Sequence, residues 1–237
     1  MPKTLRPSAW VGSRSQLAKI ANSDCSLKVD ASKIQLSAVV RDLGRHLDTE
    51  LSVAKVAAIC YYHLRRLRQI RRRVGQEVTT RLVLAMVISR LDYCNAALAA
   101  TVAPLQRVQN SAARLIFKLS SREHVTPCLL QLHWLPVCWH IQFKLCCIMH
   151  SVFYLRDVSG VSDQHRRAGR TRSGLRSTSS TDYTLPRLRT KFAERAFSYV
   201  GPSAWNGLPE DLRAVADPAE FRKELKTYYF TAAHNVY

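Results

Sequence analysis

Acidic side chains are scarce in this sequence. Only 17 Asp and Glu stand against 36 Lys and Arg in 237 residues, a formal net charge of +19. So much like charge opposes compaction unless a polyanion offsets it. Nucleic acid is the first partner this balance suggests, and an anionic membrane surface the second. Long hydrophobic runs are missing too. No stretch of 18 apolar residues occurs, so no transmembrane span is expected. The opening MPKTLRPSAWVGSRS lacks an apolar leader core, so secretion is not expected and the anticipated location is cytoplasm or nucleus. An even, regularly spaced set of cysteines is absent as well. The seven Cys fall at irregular spacings without a CxxC, which favours reduced thiols in apolar helical settings. There is no GxGxxG, Walker-type loop, HExxH or GxSxG to propose a phosphate cradle, a zinc protease or a serine nucleophile.

The shortage of acids bears directly on catalysis. Two-metal phosphoryl transfer needs carboxylates that converge on the ions. No paired-aspartate turn between strands is found. Asp92 falls inside a helical pattern and is expected to pair with an arginine or cap a backbone group rather than hold Mg2+. Cys128, His133, Cys138, His140, Cys146, Cys147 and His150 lie close together in sequence, and Cys146 and His150 share a helical face at i, i+4. Structural zinc usually needs two tight ligand pairs. Small hydrophobic cysteines in a core are therefore the favoured reading.

What is present is a 47% hydrophobic fraction, enough to bury a real core, arranged chiefly at helical spacing. The predicted fold is mainly α, with a short β-containing N-terminal part and a small α+β C-terminal unit. Three consecutive helices over 53–119 organise the rest. The first has an apolar stripe through Val53, Val56, Cys60, Leu64, Leu67 and Ile70. The second, Val78 to Leu98, is apolar nearly all round and is expected to be the buried central helix, clamped by its neighbours. The third opens at Ala103-Pro104 and aligns Leu105, Val108, Ala112, Leu115 and Leu119 on one face.

Before these helices, Ser8–Val11, Ser26–Val29 and Lys33–Leu36 read as short strands. They either complete a larger sheet or form a small hairpin cap. After them, Thr126 is the expected N-cap and Pro127 the N1 residue of a short helix. A further helix carries Val137, Ile141, Leu145, Ile148 and Val152 at helical spacing. Residues 156–182 are basic and poor in apolar groups. They read either as a solvated linker or as a segment that orders on phosphates. Beyond them, Tyr183–Leu188 is a weak strand candidate and Gly201-Pro202 a predicted turn. Asp217-Pro218-Ala219-Glu220 is a helix start, and the unit is expected to dock through Phe197, Trp205 and Phe221.

The strongest chemical signal is arginine on the first helix. Arg65, Arg68 and Arg72 lie at i, i+3 and i+7, and Arg66 and Arg73 lie beside them at i, i+7. Arg107, Arg114 and Lys118 lie on the third helix. Cations so arranged can follow a phosphate backbone without reading bases. A solvated basic face is the plainer alternative.

Several phrases carry a family resemblance. Ser89-Arg90-Leu91-Asp92-Tyr93-Cys94-Asn95 is followed by Leu105-Gln106-Arg107-Val108-Gln109-Asn110 and Ala112-Ala113-Arg114. His124-Val125-Thr126-Pro127 and Leu132-His133-Trp134-Leu135-Pro136-Val137 come next. Arg195-Ala196-Phe197, Trp205-Asn206-Gly207-Leu208-Pro209 and Phe221-Arg222-Lys223-Glu224-Leu225-Lys226 complete the series. In this order they resemble the C-terminal region of reverse transcriptases from non-LTR retrotransposons of the chicken-repeat-1/LINE-2/Jockey type. The resemblance implies that 1–51 is the end of a palm and 52–122 a thumb-like three-helix bundle. It makes 123–155 post-thumb helices, 156–182 a linker and 183–237 a small C-terminal unit. The family's Mg2+-holding palm aspartates have no counterpart here, so the chain alone is expected to be non-catalytic and to need no cofactor. RNA or RNA–DNA duplex is the implied partner, without a membrane, and self-association is expected through apolar surface that a palm would cover. The competing expectation is a degenerate or host-adopted basic helical protein with no enzymatic or nucleic-acid role.

Overall fold

The computed structural model describes residues 53–94, 102–159, 182–190 and 193–234, with backbone segments at 18–19, 27–29, 32–34, 39–42 and 45–48. The chain is mainly helical over the larger segments. The short N-terminal segments form two antiparallel hairpins. Strand β1 (Leu27–Val29) pairs with β2 (Ser32–Ile34), and β3 (Val39–Asp42) with β4 (Arg45–Asp48). The expected strand at Ser8–Val11 and the 160–181 part of the expected linker lie outside the described residues.

Helix α1 spans Ala54–Ile70. Its buried row runs Val53, Ala57, Cys60, Leu64 and Leu67, then Arg71 just past the helix end. Steps of three and four keep these residues on one face. The expected last member of the stripe, Ile70, is instead 41% exposed, because the next step from Leu67 falls on Arg71.

The second helical segment departs further from expectation. It is built from α2 (Gln76–Val83), a π turn (Leu84–Ile88) and α3 (Ser89–Cys94). Only the row Thr79, Val83, Val87 and Leu91 is buried, while Val78, Leu84 and Met86 are exposed. All-round apolarity does not here mean burial on several sides. Among the described residues the segment packs chiefly through one row against α1 and α4, with Leu82 and Ile88 half-buried beside it, while Val78, Leu84 and Met86 face outward.

The central place belongs to α4 (Ala103–Phe117), where Leu105, Val108, Gln109, Ala112, Ala113, Leu115 and Ile116 are all buried. One side of α4 meets α1 and α2. The small Ala113 side faces α5 (Thr126–Gln131) through Cys128 and Leu129. Helix α5 starts at Thr126 after Val125, so Pro127 sits one position later than expected, still in the first turn, where its missing N–H costs nothing.

Helix α6 (Val137–Ser159) is shared between two hydrophobic clusters. Val137, Ile141 and Leu145 join α1 and α4, whereas Cys146 and Met149 join the C-terminal helices. The predicted continuation through Ile148 and Val152 fails for this reason. Ile148 is 43% exposed, and the buried row turns towards Cys146, Met149 and His150, where the C-terminal unit docks. Two carboxamides fasten α6 to α4. The backbone N–H of Val137 donates to Gln106 Oε1 at 2.8 Å, and Gln109 Nε2 donates to the Leu135 carbonyl at 2.8 Å. Gln106 thus satisfies one of the free N–H groups that every helix start leaves.

The C-terminal unit comprises α7 (Phe197–Asn206), α8 (Glu210–Ala214) and α9 (Pro218–His234). The expected strand at Tyr183–Leu188 does not form. Instead the Asn206 carboxamide bonds both backbone groups of Tyr183, each at 2.8 Å, and the ring packs edge-on to Trp205. Gly201-Pro202 is no turn but lies buried inside α7. Gly is used there for close approach, since a Cβ at Gly201 would lie 2.9 Å from the Met149 sulfur. Docking runs through Trp205 and Phe221, at 0% and 1% exposure, while Phe197 is 43% exposed and takes no part in the core. Asp217 caps α9 as expected, accepting from the N–H groups of Ala219 and Glu220 at 3.1 and 2.7 Å. Among the described residues, no helix is long and apolar enough to cross a membrane.

Candidate nucleic-acid interface

The cations expected on two separate helices meet in one groove. Arg68 comes from the edge of α1 beside its buried row, and Arg72 from the turn just past it. Arg114 and Lys118 come from the end of α4. Together with Ser111 and Ser121 they line an open cavity of about 550 Å³. The α1–α4 contact through Leu64, Leu67, Leu115 and Ile116 fixes the distance between the two banks. Its floor is Leu115, Leu119 and the stem of Arg71.

Arg71 is the residue that builds this groove, and the sequence reading passed over it. It is only 7% exposed. Its Nε donates to the Leu115 carbonyl at 3.2 Å and Nη2 to the Ile116 carbonyl at 2.7 Å, while Nη1 donates to the Val74 carbonyl at 3.0 Å. The last carbonyls of α4 have no partner within the helix, and its C-terminus carries partial negative charge. One guanidinium therefore ties the end of α1 to the end of α4. The spacing Cys60, Leu64, Leu67, Arg71 was the available signal, because it continues the buried row.

Lys118 ends α4 in a left-handed conformation, φ 58°, unusual for a residue with a Cβ. This turns the chain out of the helix, and Leu119 donates its N–H back to the Arg114 carbonyl at 3.0 Å. Arg114 is half-buried and donates Nη2 to the Glu123 carbonyl at 3.2 Å. The Glu123 carboxylate accepts from the Ser120 N–H at 2.7 Å, which holds it below the usual carboxylate range. Among the described residues, no carboxylate forms an ion pair with Arg68, Arg72, Arg114 or Lys118 within 4.0 Å.

The other expected contact residues lie elsewhere. Arg65, Arg66, Arg73 and Arg107 do not line the groove. Arg65, Arg73 and Arg107 are exposed, while Arg66 is spent locally, over the Tyr62 ring at 5.7 Å with Nη1 donating to its hydroxyl at 3.1 Å. The row Arg65–Arg68–Arg72 therefore contributes two of its members to a concave surface.

Asp92 pairs with a histidine and a lysine rather than with an arginine. Its Oδ1 forms ion pairs with His140 Nε2 and, at 2.8 Å, with Lys144 Nζ, which also donates to the Asp92 backbone carbonyl, joining α3 to α6. The His140 hydrogen bond first, then that of Lys144, brings its pKa down to about 2 against the opposing effect of burial. The cysteine–histidine set is dispersed. Cys146 Sγ lies 3.3 Å from the Tyr229 hydroxyl, and burial pushes the thiol up to about 12. A thiol so poised stays protonated and is a poor nucleophile and metal ligand. His150, 1% exposed, donates Nε2–H to the Val215 carbonyl at 2.8 Å and stacks on Phe221. Cys138 is exposed rather than packed in the core. Among the described residues, no three His, Cys, Asp or Glu side chains come together as metal ligands.

What the groove can do chemically is accept anionic oxygen. Guanidinium forks and an ammonium along two banks can pair with successive phosphates, and the exposed Ser121 hydroxyl can add a neutral donor. No protein-family model, no curated protein and no solved structure matches this chain.

Proposed function

We propose that the chain is a non-catalytic binder of RNA or RNA–DNA duplex, the thumb-side region of a retrotransposon-type RNA-directed DNA polymerase. It grips backbone phosphates in the groove between α1 and α4. The observation that supports this reading is the convergence of Arg68, Arg72, Arg114 and Lys118 on one concave surface without ion-paired acids among the described residues. Within a formal net charge of +19 that concentration of positive potential steers a polyanion to the groove. The sequence phrases that resemble those of retrotransposon enzymes support the choice of duplex.

The test is fluorescence anisotropy with a labelled RNA–DNA hybrid over a range of salt. Each phosphate contact contributes about 0.9 to the slope of log affinity against log salt. Replacing Arg68, Arg72 and Lys118 by Gln should lower that slope by roughly 2 to 3 and weaken all duplex sequences alike. An unchanged slope removes the groove from the interface. No salt-dependent binding by the parent chain would favour instead a basic helical protein without a nucleic-acid role.

A further inference from the structure

The groove contains an acceptor for a phosphate of the protein's own. Ser121 is exposed in the turn between α4 and α5, and it lines the same cavity as Arg68, Arg72, Arg114 and Lys118. We propose that Ser121 is a regulatory phosphorylation site whose phosphate folds into the groove and displaces nucleic acid from it. The inference rests on the reading of the groove as a phosphate-binding surface.

The chemistry is a simple transfer. A protein kinase moves the γ-phosphoryl of a nucleoside triphosphate to Ser121 Oγ. The new O–P bond forms as the β–γ bridging P–O bond breaks, the diphosphate leaves, and the hydroxyl proton passes to the kinase's base. Lys118 lies three residues before the hydroxyl and Arg122 one after, while the acid Glu123, two after, is engaged by the Ser120 N–H. A kinase reading positive charge close to its acceptor serine suits it. Ser111, which also lines the cavity, is a poorer acceptor. It sits inside α4, half-buried, and donates its hydroxyl to the Arg107 carbonyl at 2.8 Å.

A phosphoserine carries a charge of about −1.5 to −2 and three strong acceptor oxygens, and opposite an arginine cluster it makes charge-assisted bonds. At Ser121 the cations are within the same cavity, so the modification needs no partner molecule to find them. The local concentration of a tethered phosphate exceeds that of any dilute duplex. It also neutralises about two of the cations that a duplex would use.

The experiment places phosphoserine genetically at position 121 of the full chain, with Ser198, exposed at the start of α7 and away from the groove, as the control position. In 31P NMR the phosphate at 121 should titrate at lower pH than the one at 198, because neighbouring guanidinium groups favour its dianion. The difference should shrink with Arg68→Gln and Arg72→Gln, and an undiminished difference would remove these two arginines from the phosphate's surroundings. Equal titration at the two positions overturns the proposal, whether or not duplex binds. In anisotropy, duplex affinity should fall roughly ten- to a hundredfold for 121 near 0.1 M salt and less than about threefold for 198. Equal losses overturn the competitive role. Absence of duplex binding by the unmodified chain sinks the duplex reading and the competitive role together, leaving the NMR result to decide whether the groove holds the phosphate. Incubation of the parent chain with ATP and a kinase selective for serines beside basic residues should label Ser121 by mass spectrometry. Labelling elsewhere but not there overturns its role as acceptor.

Discussion

Replacing Arg71 by Met tests how the two banks of the groove are held together. Its guanidinium makes three hydrogen bonds to backbone carbonyls, of Leu115, Ile116 and Val74. Bonds to a charged group contribute about 1.5–3 kcal/mol each before the cost of burying the charge, and an orphaned buried carbonyl costs about 1–3 kcal/mol. Met keeps the apolar stem, so packing changes little, and the loss is chiefly of donors. Burial of the guanidinium discounts the gross sum. The net destabilisation expected is about 3–5 kcal/mol, or roughly 6–20 °C in Tm for a body of this size. Arg71→Lys keeps the charge without the planar fork and should recover about half. Urea unfolding followed by far-ultraviolet circular dichroism measures both. The loss should persist in 0.5 M NaCl, because the bonds are buried. A Met variant within about 1 kcal/mol of the parent, or a Lys variant equal to the parent, would refute the tie between the helix ends.

Acidification should destabilise the fold in two stages. Burial first, then the nearby Arg222, lowers the His150 pKa below its ordinary value of 6.5. The unfolded chain therefore takes up a proton there before the folded one does. Stability is full above pH 6.5 and declines as pH falls below it, and His150→Gln should flatten this part of a urea-midpoint profile. Asp92 has its pKa depressed to about 2, so its contribution is present above the ordinary carboxylate value and is lost as pH falls towards 2. Being part-exposed, it adds only a small second step, which Asp92→Asn should remove. Asp217→Ala takes away the side-chain acceptor at the start of α9 and should cost about 1 kcal/mol, measured by chemical unfolding, with little effect on duplex binding.

The helical stripes were legible because periodicity is local. Cys60, Leu64 and Leu67, or Leu105, Val108 and Ala112, announce their face without knowledge of what covers it. The Asp217 cap was legible for the same reason. Burial of the second segment was not, since apolar content says which residues tolerate burial and not which receive it. Val78, Leu84 and Met86 show the difference. The same limit applies to the site. The arginine row on α1 and the cations of α4 could each be read from the sequence. Their meeting depends on the crossing of two helices, and so does the pairing of Asp92 with His140 and Lys144. Arg71 was hidden by its neighbours, because a single inward guanidinium among Arg68, Arg72 and Arg73 looks like another surface charge.

Helix α6 carries a consequence for how the molecule comes apart. One rod forms a wall of both hydrophobic clusters, with Leu145 on one side and Cys146 on the other. Neither half can lose its grip without stripping a face that the other half needs rigid. Melting of the Trp205 surroundings and of the α1–α4 crossing should thus be a single event. The groove then inherits its firmness from aromatic packing around Trp205 and Phe221, in residues that do not line it.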